Sequence, residues 1–493
     1  MSPLRSQKGS ILQNNMGSRN NSSKDKNGGD TYPSGVFYIL GIFILSKVPV
    51  LNVLPHWDEL AYVGAAAQSF PERKTLFHFI LKSIAGIFGM SISFFHLFSM
   101  LCAAATLFYT YKLAALLFTR DTAVYALVLL ACAPLFYAQS VLVLPEMLVT
   151  LFMVLTVYAL MSGNKGLFIA ALTAAAASKE NGVLGAVMIA LALALLAMID
   201  RQQRKRYYGI FFSFTMVIIV LLVCLKPLWI TQAVWEFYIG HVRPLSGMDL
   251  RVLTRTAGMF IADSPLAQVT MVFLLMRSIR SPRKPLEDNP LRFLLLSATF
   301  LAGSFLFYSI YEINIPRYWL PLYPFLAITA SVMLIEGVPR HGGRVLAAGA
   351  VVFLLVSCFF PLKEQEPFGS GARLERNMSY VACVNVHAAA ARFVERNYPR
   401  AIIAASWPLT SALRYPELGY VKKPLIVREL FDKPSLDAVN AWFRVNNDDL
   451  DIIVYSPQSD NSRDLKRYID KYGWKPLKGF KQGYSTACVY GKE

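Results

Sequence analysis

Asp58 and Glu59 stand side by side after Pro55-His56-Trp57, where a first apolar stretch ends. An ionised carboxylate can take the proton of an attacking hydroxyl or amine that lies within about 3 Å. On a helix Glu59 projects roughly 100° around from Asp58, so the two need not serve one reactant. Asp58 also has a plainer reading, as the cap of a helix over 60–69, because Asp is a favoured capping residue. An acid pair beside an aromatic and a histidine exceeds what a cap requires.

Three more polar clusters interrupt the apolar sequence: Leu144-Pro145-Glu146, Ser178-Lys179-Glu180-Asn181-Gly182 and Pro316-Arg317-Tyr318. Glu146 reads as a second acid for the same chemistry, or as a first-turn acid favoured by the helix dipole. Lys179 and Glu180 read as an interfacial ion pair that reaches toward headgroups, or Lys179 as a phosphate contact held in a connection with little slack. A guanidinium such as that of Arg317 can bind a phosphate in a bidentate way. Tyr318 and Trp319 suit either the site or an aromatic belt at the membrane surface. His56, Glu180 and His241 complete the candidates, as side chains that could touch substrate. Acids for a base and cations for a phosphate describe transfer from a phosphorylated lipid to a nucleophile.

The elements that must position these residues are membrane helices. The 493 residues are 55% hydrophobic and only 16% charged, against about 25% charged in a soluble globule. Apolar runs long enough to cross a hydrocarbon core of roughly 30 Å recur between Gly35 and Pro361, and they give about eleven spans. They lie near 35–54, 92–112, 121–138, 143–162, 166–178, 183–199, 208–228, 259–276, 291–308, 318–336 and 345–361. The 76–90 segment either crosses or lies along the surface. Ionisable residues at membrane depth are expensive and default to function.

Cations orient the chain. Residues 1–34 are polar, with Arg5, Lys8, Arg19, Lys24 and Lys26, and lack the apolar run of a cleaved signal peptide. Arg201–Arg206 is a basic loop; Arg277, Arg280, Arg283, Lys284 and Arg292 mark a second, and Arg340 with Arg344 a third. With all three inside, the positive-inside rule and the span count agree, and everything after Pro361 is outside. The net charge of +18 then reflects topology and anionic headgroups. Nucleic-acid binding is not expected, because no basic-aromatic platform occurs.

Residues 362–493 are richer in charge and broken by Pro and Gly. Strand-like runs over 401–405, 451–455 and 486–490 alternate with helical spacing over 388–397 and 463–472, which predicts a small α/β domain. Cys102, Cys132, Cys224 and Cys358 read as small hydrophobes in the spans. Cys383 and Cys488 share the tail and could pair in an oxidising compartment. No His or Cys cluster has metal-ligand spacing; nothing calls for a metal, and dependence on a divalent cation stays open.

The pattern resembles the GT-C class of integral-membrane glycosyltransferases that use lipid-phosphate sugars, in the branch of protein O-mannosyltransferases and aminoarabinose transferases. The residues that carry the resemblance are Asp58-Glu59, Tyr62 with the small residues after it, Leu76–Gly89, Pro145-Glu146, Lys179 and the string Arg317-Tyr318-Trp319-Leu320-Pro321-Leu322-Tyr323-Pro324. The resemblance implies an inverting transfer from a polyprenyl-phosphate sugar to a glycan, lipid or protein acceptor. It implies a GT-C-like helical domain over 35–361 at the inner or plasma membrane, with its site and the 362–493 domain extracytoplasmic. Asp58 matches the family's catalytic acid position, and Glu146 sits near a second acidic position that is Asp in many relatives. Lys179 and Arg317, with Tyr318 beside them, match positions that neutralise the lipid phosphate. The partners implied are membrane lipids and the lipid-linked sugar. Two other classes stand beside this one: a lipid-linked-sugar flippase, which needs charges in mid-span, and a non-catalytic scaffold.

Overall fold

The structure, a computed structural model, describes residues 34–67, 75–199, 250–279, 288–310, 315–337, 340–361, 373–429, 449–459 and 462–492, with a few positions between 205 and 212. It is an integral membrane protein, mostly helical, with a small sheet near its C-terminal end. Among the described residues, six helices are long and apolar enough to cross a membrane: Ile92–Leu117, Pro145–Ser162, Glu180–Met198, Arg292–Ile310, Pro316–Ile335 and Gly342–Phe359.

Several expected spans take another form. The run near 35–54 is a short helix, Ser34–Leu45, followed by a 3-10 turn at Val48–Val50. The run near 121–138 divides into Arg120–Cys132 and Pro134–Gln139. Pro134 forces Ala133 out of helical geometry, to φ −67° and ψ 122°. The 259–276 stretch is not one straight span: Arg251–Asp263 and Pro265–Met276 meet at 103° around Ser264. Pro265 cannot donate into the preceding turn, and Ser264 Oγ accepts from the Ala267 amide at 3.2 Å and from the Tyr323 hydroxyl at 2.8 Å. The elbow leaves Asp263 at a helix end. The span expected near 208–228 lies outside the described residues.

One connection matters for the site. Helices Lys165–Ser178 and Glu180–Ile199 are joined by a single extended residue, Lys179, at φ −166° and ψ 160°. The two helices pack so closely that a Cβ on Gly182 would lie 1.8 Å from the Ala175 carbonyl oxygen. Any side chain at 182 would force the pair apart and move Lys179.

The C-terminal sheet has five strands in the order β2-β1-β3-β5-β4: β1 Ile402–Ala405, β2 Ile426–Glu429, β3 Ile452–Tyr455, β4 Lys475–Gln482 and β5 Ser485–Gly491. The first three run parallel, and β4 and β5 add an antiparallel hairpin. Helix Tyr380–Asn397 covers one face, with Phe393 against Phe480 of β4. Helix Ser462–Lys471 covers the other, with Leu465, Tyr468 and Ile469 clustered on Ile453. Cys383 and Cys488 are both free thiols, so the pairing considered above is absent from the structure. Burial pushes the Cys383 thiol up to about 12, which leaves it protonated and unreactive.

This domain is fastened to the helix bundle. Asn377 Nδ2 donates to the Ser357 and Phe360 carbonyls at 3.0 and 2.8 Å and so closes the end of the last membrane helix. The Tyr420 hydroxyl donates to the Pro55 carbonyl at 2.8 Å, and the Tyr380 and His56 rings lie 5.7 Å apart. Gly419, at φ +81°, lets the chain pass Leu54: a Cβ there would come 2.8 Å from Leu54 Cδ2. Tyr380, Gly419 and Tyr420 are thereby brought against the chain from Leu54 to His56.

Candidate active site

The loop begins with strain. Trp57 adopts φ 44° and ψ −116°, the only positive φ at a non-glycine among the described residues. Such backbone persists where its surroundings over-determine it, and it marks functional sites often enough to direct attention here. Glu59 supplies that determination. Its fully buried carboxylate accepts the His56 amide at 2.8 Å through Oε2 and the Val143 amide at 2.5 Å through Oε1. His96 Nδ1 is 2.9 Å from the Leu51 carbonyl, an acceptor only, so Nδ1 carries the hydrogen; Nε2 faces Glu59 Oε1 at 3.3 Å. Glu59 thus ties the loop to the segment before helix Pro145–Ser162. It has no free edge for a reactant.

Asp58 opens helix Asp58–Ala66 without capping it. The cap position belongs to Trp57, and the Asp58 side chain turns instead to Arg317. Arg317 is the centre of the site. Its side chain is 1% exposed, and its three donor groups each meet a carboxylate: Nε on Glu146 Oε1 at 3.1 Å, Nη1 on Glu375 Oε2 at 2.5 Å, and Nη2 on Asp58 Oδ2. Planar guanidinium geometry makes this three-way pairing possible; an ammonium could not reproduce it. The 3-10 turn Pro316–Leu322 that carries Arg317 leads into helix Tyr323–Gly337.

Glu146 lies in the first turn of its helix, fully buried, and links the two cations. Its Oε1 accepts from Lys179 Nζ at 2.6 Å as well as from Arg317. Lys179 also lies 3.9 Å from Glu180 and 4.8 Å from the centre of the Tyr318 ring. Tyr318 stacks on Tyr308, whose hydroxyl donates to the Tyr318 carbonyl at 3.0 Å. His56 is buried against Trp57 and Tyr380. Glu180 is 42% exposed at the edge of the network. His241 lies outside the described residues.

The structure adds Glu375, which sequence reasoning missed. It sits in a 3-10 turn, Leu374–Arg376, just before Asn377, and is 1% exposed. Arg373 and Arg376 on either side of it both pair with Asp263 at the helix elbow. Gln139 Nε2 donates to the Glu375 carbonyl at 3.3 Å. An acid flanked by arginines in a polar stretch carries no signal in sequence; its burial comes from packing against helix Pro134–Gln139 and the Pro316–Leu322 turn.

One asymmetry distinguishes the acids. Glu59, Glu146 and Glu375 are sealed, whereas Asp58 is 39% exposed. Of the carboxylates in contact with Arg317, it is the one an incoming group can reach. A cleft of about 340 Å³ opens elsewhere, between Val50, Phe359 and Pro361 of the bundle and Met378 and Tyr484 of the C-terminal domain, and none of the acids or cations of the site lines it. Among the described residues no group of three His, Cys, Asp or Glu side chains is arranged to hold a metal.

Residues 73–230 match the model of the dolichyl-phosphate-mannose-protein mannosyltransferase family. That segment contains Glu146 and Lys179; Asp58 and Arg317 lie outside it. No curated protein sequence matches the chain. Among solved structures it is similar to ArnT from Cupriavidus metallidurans bound to undecaprenyl phosphate, with a TM-score of 0.57 and 14% identity over 93% of this chain and 98% of that one. The apo state of the same ArnT gives 0.55 and 14% identity, over 93% and 97%. The Archaeoglobus fulgidus oligosaccharyltransferase in its apo form gives 0.49 and 12%, over 85% and 69%. At these identities the likeness to ArnT is one of fold, and it extends through nearly the whole of both chains. The GT-C resemblance therefore rests on a matched sequence segment and on a shared architecture.

Proposed function

We propose that this protein is a membrane glycosyltransferase that moves a sugar from a polyprenyl-phosphate carrier to a hydroxyl or amine acceptor on the extracytoplasmic face, with inversion. The observation that carries the reading is Asp58: a half-open carboxylate at the mouth of a buried network that holds both Lys179 and Arg317. The matched family is described by a dolichyl-phosphate-mannose donor, and the ArnT of similar fold was crystallised with a polyprenyl phosphate. Both support a lipid-linked donor.

In a single displacement the acceptor oxygen or nitrogen attacks the anomeric carbon as the bond from that carbon to the phosphate oxygen breaks. The acceptor proton goes to Asp58, and the electron pair stays on the phosphate. Negative charge on the phosphate grows as the sugar leaves, and preorganised cations stabilise it where it develops. Lys179 and Arg317 are the cations that neutralise the phosphate in this reading, one a point charge and the other a planar fork. Arg317 orients Asp58, Glu146 bridges the cations, Glu59 holds the loop, and Tyr318 forms the wall beside Lys179. The network gathers at helix ends, not along a path through the bundle, which favours this reading over a flippase.

Two tests follow directly. Replacing Lys179 by Ala is expected to lower turnover by about 10²–10³, the usual cost of one lost transition-state donor, while the acceptor's apparent affinity stays near the parent's. Parental turnover in a folded Lys179→Ala protein would remove it from the donor site. For sidedness, Gln203→Cys in the basic loop and Tyr484→Cys at the exposed tip of the β4–β5 hairpin should label from opposite sides with an impermeant thiol reagent. Labelling of both from one side would overturn the topology on which the proposed face rests.

A further inference from the structure

Charge in the site does not balance. Among the described residues, Asp58, Glu146 and Glu375 pair with Arg317 and Lys179 alone, and Glu180 stands 3.9 Å from Lys179 on the outer edge. With every acid ionised, an incoming phosphate anion meets excess negative charge. Neutralising one carboxylate relieves that repulsion.

The three acids are not equivalent. Asp58 is partly exposed, so water supports its ionised form. Glu146 is buried with one oxygen lacking a partner, but its other oxygen accepts from both cations. Glu375 is buried, meets a single cation through Oε2, and keeps Oε1 without a partner among the described residues. An ionised carboxylate with an unsatisfied buried oxygen is costly; a protonated one is not. The groups that face it are Arg317 from the Pro316–Leu322 turn, Asp58 and Glu146 from the starts of their helices, and the Tyr380 hydroxyl from helix Tyr380–Asn397. Its neighbours Arg373 and Arg376 are turned away to Asp263.

We propose that Glu375 is a proton-exchanging positioning residue: an anionic lipid phosphodiester binds the form in which Glu375 carries a proton, so that Arg317 gives its charge to the ligand's phosphate, and where the free protein has lost that proton, binding draws it from solvent. Burial raises the Glu375 carboxyl to about 8; the Arg317 guanidinium pulls against this, and the charges of Asp58 and Glu146 add to it. The group therefore exchanges its proton within the working range of pH. Its protonated form favours the folded state, a contribution complete below the ordinary carboxyl range and lost as pH rises from there through about 8, and it favours the bound ligand, whose affinity falls once pH exceeds about 8.

The inference rests on the lipid-phosphate donor proposed above, and the test separates the two. The probe is a decaprenyl methyl phosphodiester, whose phosphate stays a monoanion throughout, titrated into the purified full-length protein in nanodiscs at about pH 6 to pH 10. Affinity is expected to be flat at the acid end and to fall by about tenfold per pH unit above about pH 8, as one linked proton requires. Glu375→Gln, neutral and of the same shape, should bind at every pH with the affinity the parent has at the acid end. A parent affinity independent of pH, or the same slope in Glu375→Gln, overturns the role of Glu375 while leaving the donor class standing. No binding by either protein at any pH overturns the donor class and this inference with it.

Discussion

Asp58→Asn is expected to reduce sugar transfer by about 10²–10⁴ while leaving the protein folded and able to bind the lipid donor. Loss of a positioned general base typically has that cost. The substitution is a clean probe because the amide keeps an oxygen that can accept from Arg317 Nη2, the bond that holds Asp58 in place. The capacity to take a proton is removed together with the negative charge, while the shape and this hydrogen bond are kept. The buried acids do not offer a substitute: Glu59 is occupied by the His56 and Val143 amides, and Glu146 by Lys179 and Arg317. Transfer is measured with purified protein and the lipid-linked sugar identified by mass spectrometry of the co-purified lipid; thermal unfolding of both proteins controls for structure. Turnover within a few-fold of the parent, at an unchanged unfolding temperature, would take Asp58 out of the chemistry and move attention to Glu180, the other partly exposed acid at this edge.

The residues that sequence alone brought forward share one physical trait. Asp58, Glu146, Lys179 and Arg317 are ionisable groups at the ends of apolar runs, where charge is expensive and its presence stands out. The structure brings all four into one network. Glu59 was equally conspicuous, yet its oxygens are spent on backbone amides, a distinction that depends on where residue 143 lies in space. Glu375 was invisible for the opposite reason. It is 58 residues from Arg317 in the chain, in a polar stretch where an acid is ordinary, and its burial comes from tertiary packing. The elbow at Ser264-Pro265 carried a local signal, since proline disfavours helix at the residue before it, but the continuous hydropathy of 259–276 concealed it. In the C-terminal domain, β1, β3 and β5 are buried and read as strands. β4 reads as polar because it is an edge strand with Lys475, Lys478 and Lys481 exposed, and lysines are a common protection for such edges.

Arg317→Ala is expected to damage the fold before it damages the chemistry. The side chain is almost wholly buried, and its removal leaves Asp58, Glu146 and Glu375 facing one another with Lys179 as the only remaining cation paired to them among the described residues. Breaking a buried pair by deleting one partner costs on the order of 3–5 kcal/mol, and three carboxylates depend on this one guanidinium. The lost stability is expected to return in part as the pH is lowered, because protonation of the stranded acids removes their mutual repulsion; the Glu375 carboxyl, already raised by burial and no longer lowered by Arg317, is the first to be neutralised. Arg317→Lys should fall between parent and Ala, since a single ammonium cannot present separate donors to three partners set around a plane. Lys179→Ala, which leaves Glu146 paired with Arg317, should be much milder toward unfolding and severe only toward turnover. The measurement is the unfolding temperature of the three variants in one detergent across a pH series. A parental unfolding temperature for Arg317→Ala would mean that the three carboxylates do not rely on the guanidinium, and the ion-pair network would then lose its claim to organise the site.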